Sequence, residues 1–204
     1  MKINNIYVKG EGYAYCKSSF YSAHDALSNS LCYTFSRGVN RLIGEIDSGC
    51  WAVSYLLSMY KHCPEDFVLL DEPKIVADGK QVSLNDLSSI SCYMDKSNPM
   101  FCSDASVKEL VIHGLKQSKS NYSCADIRSL FYIDSERFER AITGVGNEIF
   151  KVMAAIGFSY EREIFCFPWL SQRRFERYHK NLIAVLDVLE SFKKIIILPV
   201  GYHF

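Results

Sequence analysis

Two glycines, Gly44 and Gly49, have the spacing of a phosphate-binding loop, whose pattern is G-x-x-x-x-G-K-[ST]. An apolar stretch precedes the first glycine, and a run typical of a helix follows the second. In a working loop the lysine supplies positive charge to the terminal phosphates and the hydroxyl binds magnesium. Cys50 and Trp51 stand at those two positions here. Residues 38–52 therefore predict a strand, a turn and a helix without the side chains that the chemistry needs.

The rest of the loop affects an anion in two opposite ways. Backbone N–H groups and the N-terminus of the following helix favour an anion. The carboxylates of Glu45 and Asp47 repel one. We therefore expect weak phosphate binding at most.

The order of segments along the chain resembles the nucleotide-binding domain of ATP-binding cassette (ABC) proteins. Segments before the loop are similar to the strand that leads into it. Later segments are similar to a hairpin, a strand with its following helix, a signature turn and a late buried strand. The resemblance depends on order and spacing over nearly the full length. The segments are residues 24–27, 31–38, 67–84, 92–101, 106–115, 143–148 and 163–171.

The resemblance implies a set of site positions, most of them altered. Lys96 falls near the position of the Q-loop glutamine, and Arg173 near the D-loop aspartate. In the signature, Thr143 and Gly144 match the family, whereas Val145 replaces its second glycine. The signature positions are Thr143, Gly144, Val145 and Gly146, and the degenerate loop positions are Gly44, Asp47, Ser48, Gly49, Cys50, Trp51 and Ala52.

The Walker B segment of the family, LLLDEPTS, corresponds by spacing to residues 163–171. Cys166 then stands in place of the magnesium-organising aspartate and Phe167 in place of the catalytic glutamate. A literal LLDEP at residues 69–73 lies too early in the chain to be that segment. The turn signal Asp78-Gly79 follows it, so we interpret it as a strand end next to a hairpin.

The predicted fold class is α/β, with a P-loop NTPase-like (ABC ATPase-like) core. The core has a mostly parallel sheet, an N-terminal antiparallel β portion and an inserted helical subdomain at approximately 100–142, within a single domain of residues 1–204. The sequence patterns predict two sets of elements. Strands are expected near 3–8, 12–16, 31–36, 40–44, 67–70, 74–77, 90–94, 164–167 and 194–200. Helices are expected near 50–60, from a capping region at 103–106 with Glu109 to about 115, in a short segment that starts at 123, in a further turn at 135–138, and near 148–158 and 173–192.

Composition limits the classes of function. The 204 residues are 49% hydrophobic, and the 23 basic side chains balance the 23 acidic ones. This balance gives no reason to expect nucleic acid as a partner. The eight cysteines are scattered, without metal-ligand spacing, and we expect them to be reduced and largely buried. No apolar run predicts a membrane-spanning helix or a signal peptide, so the cytoplasm is expected, with membrane association only through a partner.

Three hypotheses of function remain open. The first is a pseudo-ATPase that acts as a scaffold or partner subunit for a second copy or another ABC-type protein, with a membrane permease as a further partner. The second is an atypical ABC ATPase that binds ATP and works with a separate permease. The third is a repurposed enzyme with Cys50 as nucleophile. No cofactor is expected, apart from weak ATP binding without strong magnesium dependence. If Trp51 and Val145 are exposed they form an apolar patch for a partner; if they point inward they belong to the core.

Overall fold

The structure is a computed structural model. It describes residues 2–10, 14–16, 25–26, 31–45, 50–62, 67–69 and 72–201. The strands are β1 (Asn5–Gly10), β2 (Ala14–Cys16), β3 (Asp25–Ala26), β4 (Leu31–Ser36), β5 (Gly38–Ile43), β6 (Phe67–Leu69), β7 (Lys74–Ala77), β8 (Lys80–Val82), β9 (Ser91–Tyr93), β10 (Ile164–Cys166) and β11 (Ile195–Val200). The helices are α1 (Cys50–Met59), α2 (Leu84–Ile90), α3 (Val107–Ser118), α4 (Cys124–Leu130), α5 (Ser135–Phe138), α6 (Ile149–Ser159) and α7 (Gln172–Ser191).

The core is a four-stranded parallel sheet in the order β5-β11-β10-β9. Every residue of β10 and β11 is buried, as the continuous apolar runs in these strands predict for a parallel sheet covered on both faces. Their side chains alternate between two hydrophobic clusters. Phe165 and Ile196 belong to one cluster, whereas Ile164 and Ile195 belong to the other. The sheet therefore separates two layers of packing.

Helices cover both faces of this sheet. On one face lie α6 and α7, and α7 buries Leu182, Val185, Leu186 and Leu189 at the spacing of an amphipathic helix. On the other face lies α1, in which every residue except Tyr55 is buried. The crossover from β10 through α7 to β11 is the βαβ unit that the sequence predicts.

Two antiparallel sheets form the N-terminal β portion, in the orders β4-β1-β7-β8 and β3-β2-β6. The β7–β8 hairpin turns at Asp78 and Gly79, both at positive φ, as the Asp-Gly pair predicts. The LLDEP string begins at the end of β6, which pairs with β2 and is not a strand of the parallel core. Leu70 and Asp71 lie outside the described residues. This placement agrees with the interpretation of the string as a strand end.

Most predicted elements are present with small shifts of their ends, whereas the helix α2 and the short strand β3 were not predicted. The segment after the β7–β8 hairpin is α2, whose N-cap Ser83 forms a reciprocal capping box with Asp86. Ser106 and Glu109 form the same box before α3, as predicted. Helices α3, α4 and α5 lie within the range 100–142 assigned to a helical insertion, while the division into domains stays a prediction. Among the described helices, none is both long and apolar enough to span a membrane.

Candidate functional site

The carboxyl ends of parallel strands are where ligands bind in open α/β sheets. β5 ends at Ile43, and the backbone N–H of Gly44 continues its pairing with β11 by donating to the Val200 carbonyl at 2.9 Å. After the turn, α1 begins at Cys50. The strand and the helix of the predicted unit are therefore in place. Asp47, Ser48 and Gly49 lie outside the described residues.

The side chains at the start of α1 belong to the hydrophobic core. Cys50 is 6% exposed, Trp51 2% and Ala52 0%. The Trp51 indole packs edge-on against Tyr55, with ring centroids 6.1 Å apart. Of the two orientations left open by the sequence, the inward one is therefore observed for Trp51.

The Walker B positions are buried completely. Cys166 and Phe167 are both 0% exposed. Burial raises the pKa of the Cys166 thiol to about 12, against the smaller effect of hydrogen bonds with Ser58 and Ser54. The Phe167 ring packs on Phe150 at 5.5 Å. A neutral thiol and a phenyl ring thus occupy the two positions that the sequence resemblance assigns to carboxylates.

The backbone at Phe167 is fixed from both sides. Its N–H donates to the Ile197 carbonyl at 2.9 Å. Its carbonyl accepts a hydrogen bond from the Ser54 hydroxyl of α1 at 2.6 Å. This last bond joins the loop after β10 directly to α1, so the Walker A and Walker B segments are in contact through a neutral hydrogen bond.

Trp169 is a site residue that the sequence interpretation missed. Its indole N–H donates to the Gly44 carbonyl at 2.9 Å. Its ring also comes within 3.7 Å of the position that a Cβ on Gly201 would occupy. Trp169 therefore lies across the carboxyl ends of β5 and β11. The sequence did contain a signal for this role. Trp169 falls at the position of the threonine in LLLDEPTS, close to the two altered carboxylate positions.

The signature positions divide into buried and exposed residues. Val145 is 0% exposed and packs in the cluster that contains α6 and α7. Thr143, Gly144 and Gly146 are exposed. Thr143 and Gly144 belong to a 3-10 helix, Ile142–Gly144, and Gly146 has a φ of 60°. Val145, like Trp51, takes the inward orientation and leaves no apolar patch at these two positions.

Two predicted positions that are distant in sequence meet at one cavity. Lys96, at the Q-loop position, and Thr143, at the signature position, both line a cavity of about 390 Å³. Asp104 and Phe101 line it as well. The Cys102 thiol donates to the Lys96 carbonyl at 3.3 Å and holds this segment in place. The loop positions at Gly44 and Cys50 are not among the residues that line this cavity.

The described side chains do not fit a magnesium-bound nucleotide. Magnesium requires oxygen ligands, yet the three Walker positions at 51, 166 and 167 carry an indole, a thiol and a phenyl ring, all buried. Within the described ranges, no group of three or more His, Cys, Asp or Glu side chains could hold a metal ion. At these three positions the described side chains therefore supply no oxygen ligand for magnesium.

The parallel sheet between helices, together with the antiparallel β portion, defines an α/β fold of the ABC ATPase class. A putative ABC transporter ATP-binding protein from Pyrococcus furiosus has a similar structure, with a TM-score of 0.67 and 12% identity over 98% of this chain and 92% of that one. A bacterial Atm1-family ABC exporter with ATP bound matches with a TM-score of 0.61 and 10% identity, over 99% of this chain and 35% of that one.

The fold class predicted from the sequence is thereby confirmed. No family model matches the sequence, and no curated protein matches it. At identities of 12% and 10% the similarity concerns the fold alone. The role of each site residue must therefore be argued from its own chemistry and position.

Proposed function

We propose that this protein is a pseudo-ATPase, an ABC-type domain that acts as a scaffold or partner subunit without hydrolysing ATP. The observation that supports this most directly is the burial of all four altered Walker side chains, Cys50, Trp51, Cys166 and Phe167. Catalysis of phosphoryl transfer consists almost entirely of positioning and electrostatic stabilisation. Buried neutral side chains at these positions supply neither.

The same burial argues against the nucleophile hypothesis. A helix N-terminus lowers the pKa of a thiol, but a nucleophile must also reach its substrate. The Cys50 side chain is 6% exposed and packs in the core. A repurposed enzyme that uses Cys50 therefore has no supporting observation.

A partner role is supported by the residues of the signature and Q-loop positions that are exposed to solvent. Thr143 and Gly144, which match the family signature, lie at the surface beside Lys96. Thr143 can contribute a hydroxyl and Lys96 a positive charge to the nucleotide of an intact ABC-type partner, whereas the Gly144 backbone N–H already donates to the Ala141 carbonyl at 2.8 Å. Because Trp51 and Val145 are buried, the proposed contact is polar. The partner is a second copy or another ABC-type protein, with a membrane permease as a further candidate.

The first test is a calorimetric titration of the purified protein with ATP, with and without magnesium. We expect affinity weaker than about 1 mM, near −4 kcal/mol, and no gain from magnesium, because the described Walker positions carry no magnesium ligand. Micromolar affinity that depends on magnesium would overturn the proposal in favour of an atypical ATPase.

The second test addresses the partner. Sedimentation of the wild-type chain, alone and with an ABC-type protein encoded beside it, should show association that ATP strengthens, because the proposed contact includes the partner's nucleotide. Thr143→Asp and Lys96→Glu should weaken it, whereas Thr34→Asp, exposed on β4, should have no effect. A chain that is monomeric alone and binds no co-encoded ABC-type protein contradicts the partner role.

A further inference from the structure

A second cavity, of about 480 Å³, is not lined by Gly44 or by Cys50 at the start of α1. Its wall includes residues from the end of α1 and the following 3-10 helix, Tyr60–His62, and residues at the C-terminal ends of α2 and α6. The helix α1 has ten residues, which corresponds to about 15 Å between Cys50 and its far end. This volume falls in the range of sites for small molecules, roughly 300–1,000 Å³.

The charged side chains that line this cavity are basic. Arg162, Lys61 and His62 contribute to its wall, and no described lining residue is acidic. Asp86 lies close enough to Lys61 for an electrostatic effect, but it is engaged by the Ser83 hydroxyl and backbone N–H in the α2 capping box. The cavity therefore carries an excess of positive charge over the described part of its wall.

The Arg162 guanidinium has a cation–π contact with the Tyr160 ring, 5.9 Å from its centre, but no hydrogen-bond or ion-pair partner within the described residues. Its Nε atom is buried and has no hydrogen-bond acceptor, and no described carboxylate forms an ion pair with it. Burial lowers the pKa of Arg162 and outweighs the opposing effects of Cys92 and Tyr160. Buried charges in proteins are normally paired and buried donors normally satisfied. A guanidinium that lies beside a cavity with a buried Nε donor and no described acceptor or carboxylate thus indicates a site for an anion.

A capping role does not account for Arg162. Basic side chains at helix C-termini commonly bind the last carbonyls, and three helices end at this cavity. Here serine hydroxyls do so instead: Ser88 donates to the Ser58 carbonyl at 3.1 Å and Ser91 to the Leu87 carbonyl at 2.7 Å. Within the described residues, Arg162 hydrogen-bonds through its backbone N–H, which donates to the Gly157 carbonyl at 3.1 Å. Its side-chain N–H groups remain available to another acceptor.

We propose that Arg162, Lys61 and His62 form a binding site for a small phosphate-bearing anion, either inorganic phosphate or a phosphomonoester. Arginine presents a planar fork of N–H donors that matches phosphate geometry. Lys61 and His62, both exposed, add donors at the rim. The Tyr160 hydroxyl is already bonded to His113 Nδ1 at 2.6 Å and forms part of the wall. The site is independent of the altered phosphate-binding loop and of the proposed pseudo-ATPase function.

The test is a calorimetric titration with sodium phosphate and, separately, with glycerol phosphate, in a buffer free of other polyvalent anions. We expect saturable binding to the wild type. Arg162→Gln should weaken it by about tenfold or more, because hydrogen bonds between charged groups are the strong class. Lys61→Gln should weaken it by about threefold, as for an exposed pair. The matched control Arg174→Gln, exposed on α7, should bind as the wild type does.

The outcomes separate the sources of phosphate and decide the proposal. If glycerol phosphate binds more tightly than inorganic phosphate, the rest of the cavity binds the organic group of a phosphomonoester. If the two bind equally, the site recognises the phosphate group alone. If Arg162→Gln fails to fold, Lys61→Gln at the exposed rim still provides the test. Absence of phosphate binding by the wild type overturns the proposal. So does binding that neither variant weakens, since the anion then sits elsewhere, for example at the start of α1.

Discussion

Replacing Phe167 by glutamate would restore the family's catalytic carboxylate, and we expect it to destabilise the fold. Phe167 is 0% exposed and packs on Phe150 at 5.5 Å. Its backbone is held by Ile197 and Ser54. The new carboxylate has no route to water unless this packing opens. The variant therefore tests whether the position is core or a site.

The magnitude follows from three contributions. Loss of a buried phenyl group costs about 1.5–3 kcal/mol, and loss of the aromatic pair with Phe150 about 0.5–1.5 kcal/mol. Burial raises a carboxyl pKa by up to about 3–5 units, at about 1.4 kcal/mol per unit. At pH 7 only the interval above the unfolded pKa counts, about 2.7 units or about 3.7 kcal/mol. The sum is then on the order of 6–8 kcal/mol, comparable with the whole stability of a typical domain, about 5–15 kcal/mol. Phe167→Glu should be largely unfolded or close to it.

The assay is urea unfolding followed by far-ultraviolet circular dichroism, with Phe167→Gln as the control of similar shape without charge. The folded-state pKa of the new carboxyl is raised, so its charge penalty is absent below the unfolded pKa, near 4.3. The penalty grows as pH rises towards the folded pKa. Phe167→Glu and Phe167→Gln should thus be similar at about pH 4 and diverge by up to about 1.4 kcal/mol per pH unit above it. Equal stabilities at pH 8 would refute the core interpretation and reopen a hydrolytic site.

Two further predictions concern α1 and a close helix contact. Cys50→Lys should give no ATP turnover in a phosphate-release assay, because Phe167 still replaces the carboxylate. It should also lower the melting temperature, because a lysine would be buried at this position. Measurable ATP turnover would contradict this prediction. Gly114→Ala should lower the free energy of unfolding by about 1–3 kcal/mol, because its Cβ would lie 2.1 Å from Ser159 Oγ. Gly144→Ala is the control, since its Cβ would meet Arg140 at an ordinary 3.6 Å; similar losses in urea unfolding for the two variants would contradict the packing.

Local patterns explain why much of the fold could be predicted from sequence. The apolar runs of β10 and β11 indicate strands buried on both faces. The Ser106–Glu109 box marks the start of α3, because its side chains satisfy the first backbone donors of the helix. The same signal at Ser83 and Asp86 was available for α2. The segment that resembles a hairpin, residues 67–84, extends beyond the end of β8 and includes Ser83, so this signal was assigned to the hairpin.

The orientation of the site residues could not be predicted in the same way. A helix that is apolar nearly all round, as α1 is, has no polar face to show which side meets solvent. The sequence therefore left Trp51 and Val145 open between core and surface, and the burial of both depends on long-range packing. The contact between Trp169 and Gly44 joins segments 125 residues apart, and no local pattern encodes it.

The altered residues at the carboxyl ends of the strands form a connected structure. Trp169 donates to the Gly44 carbonyl, and Ser54 donates to the Phe167 carbonyl. Both bonds join the segment after β10 to the segments on either side of the phosphate-binding turn. Restoring one family residue would place a charge in this packing and leave its neighbours unchanged, since Cys50→Lys would keep Phe167 and Trp169 as they are. Neutral hydrogen bonds and apolar packing hold this end of the sheet together, which agrees with the proposed role as a non-hydrolysing subunit.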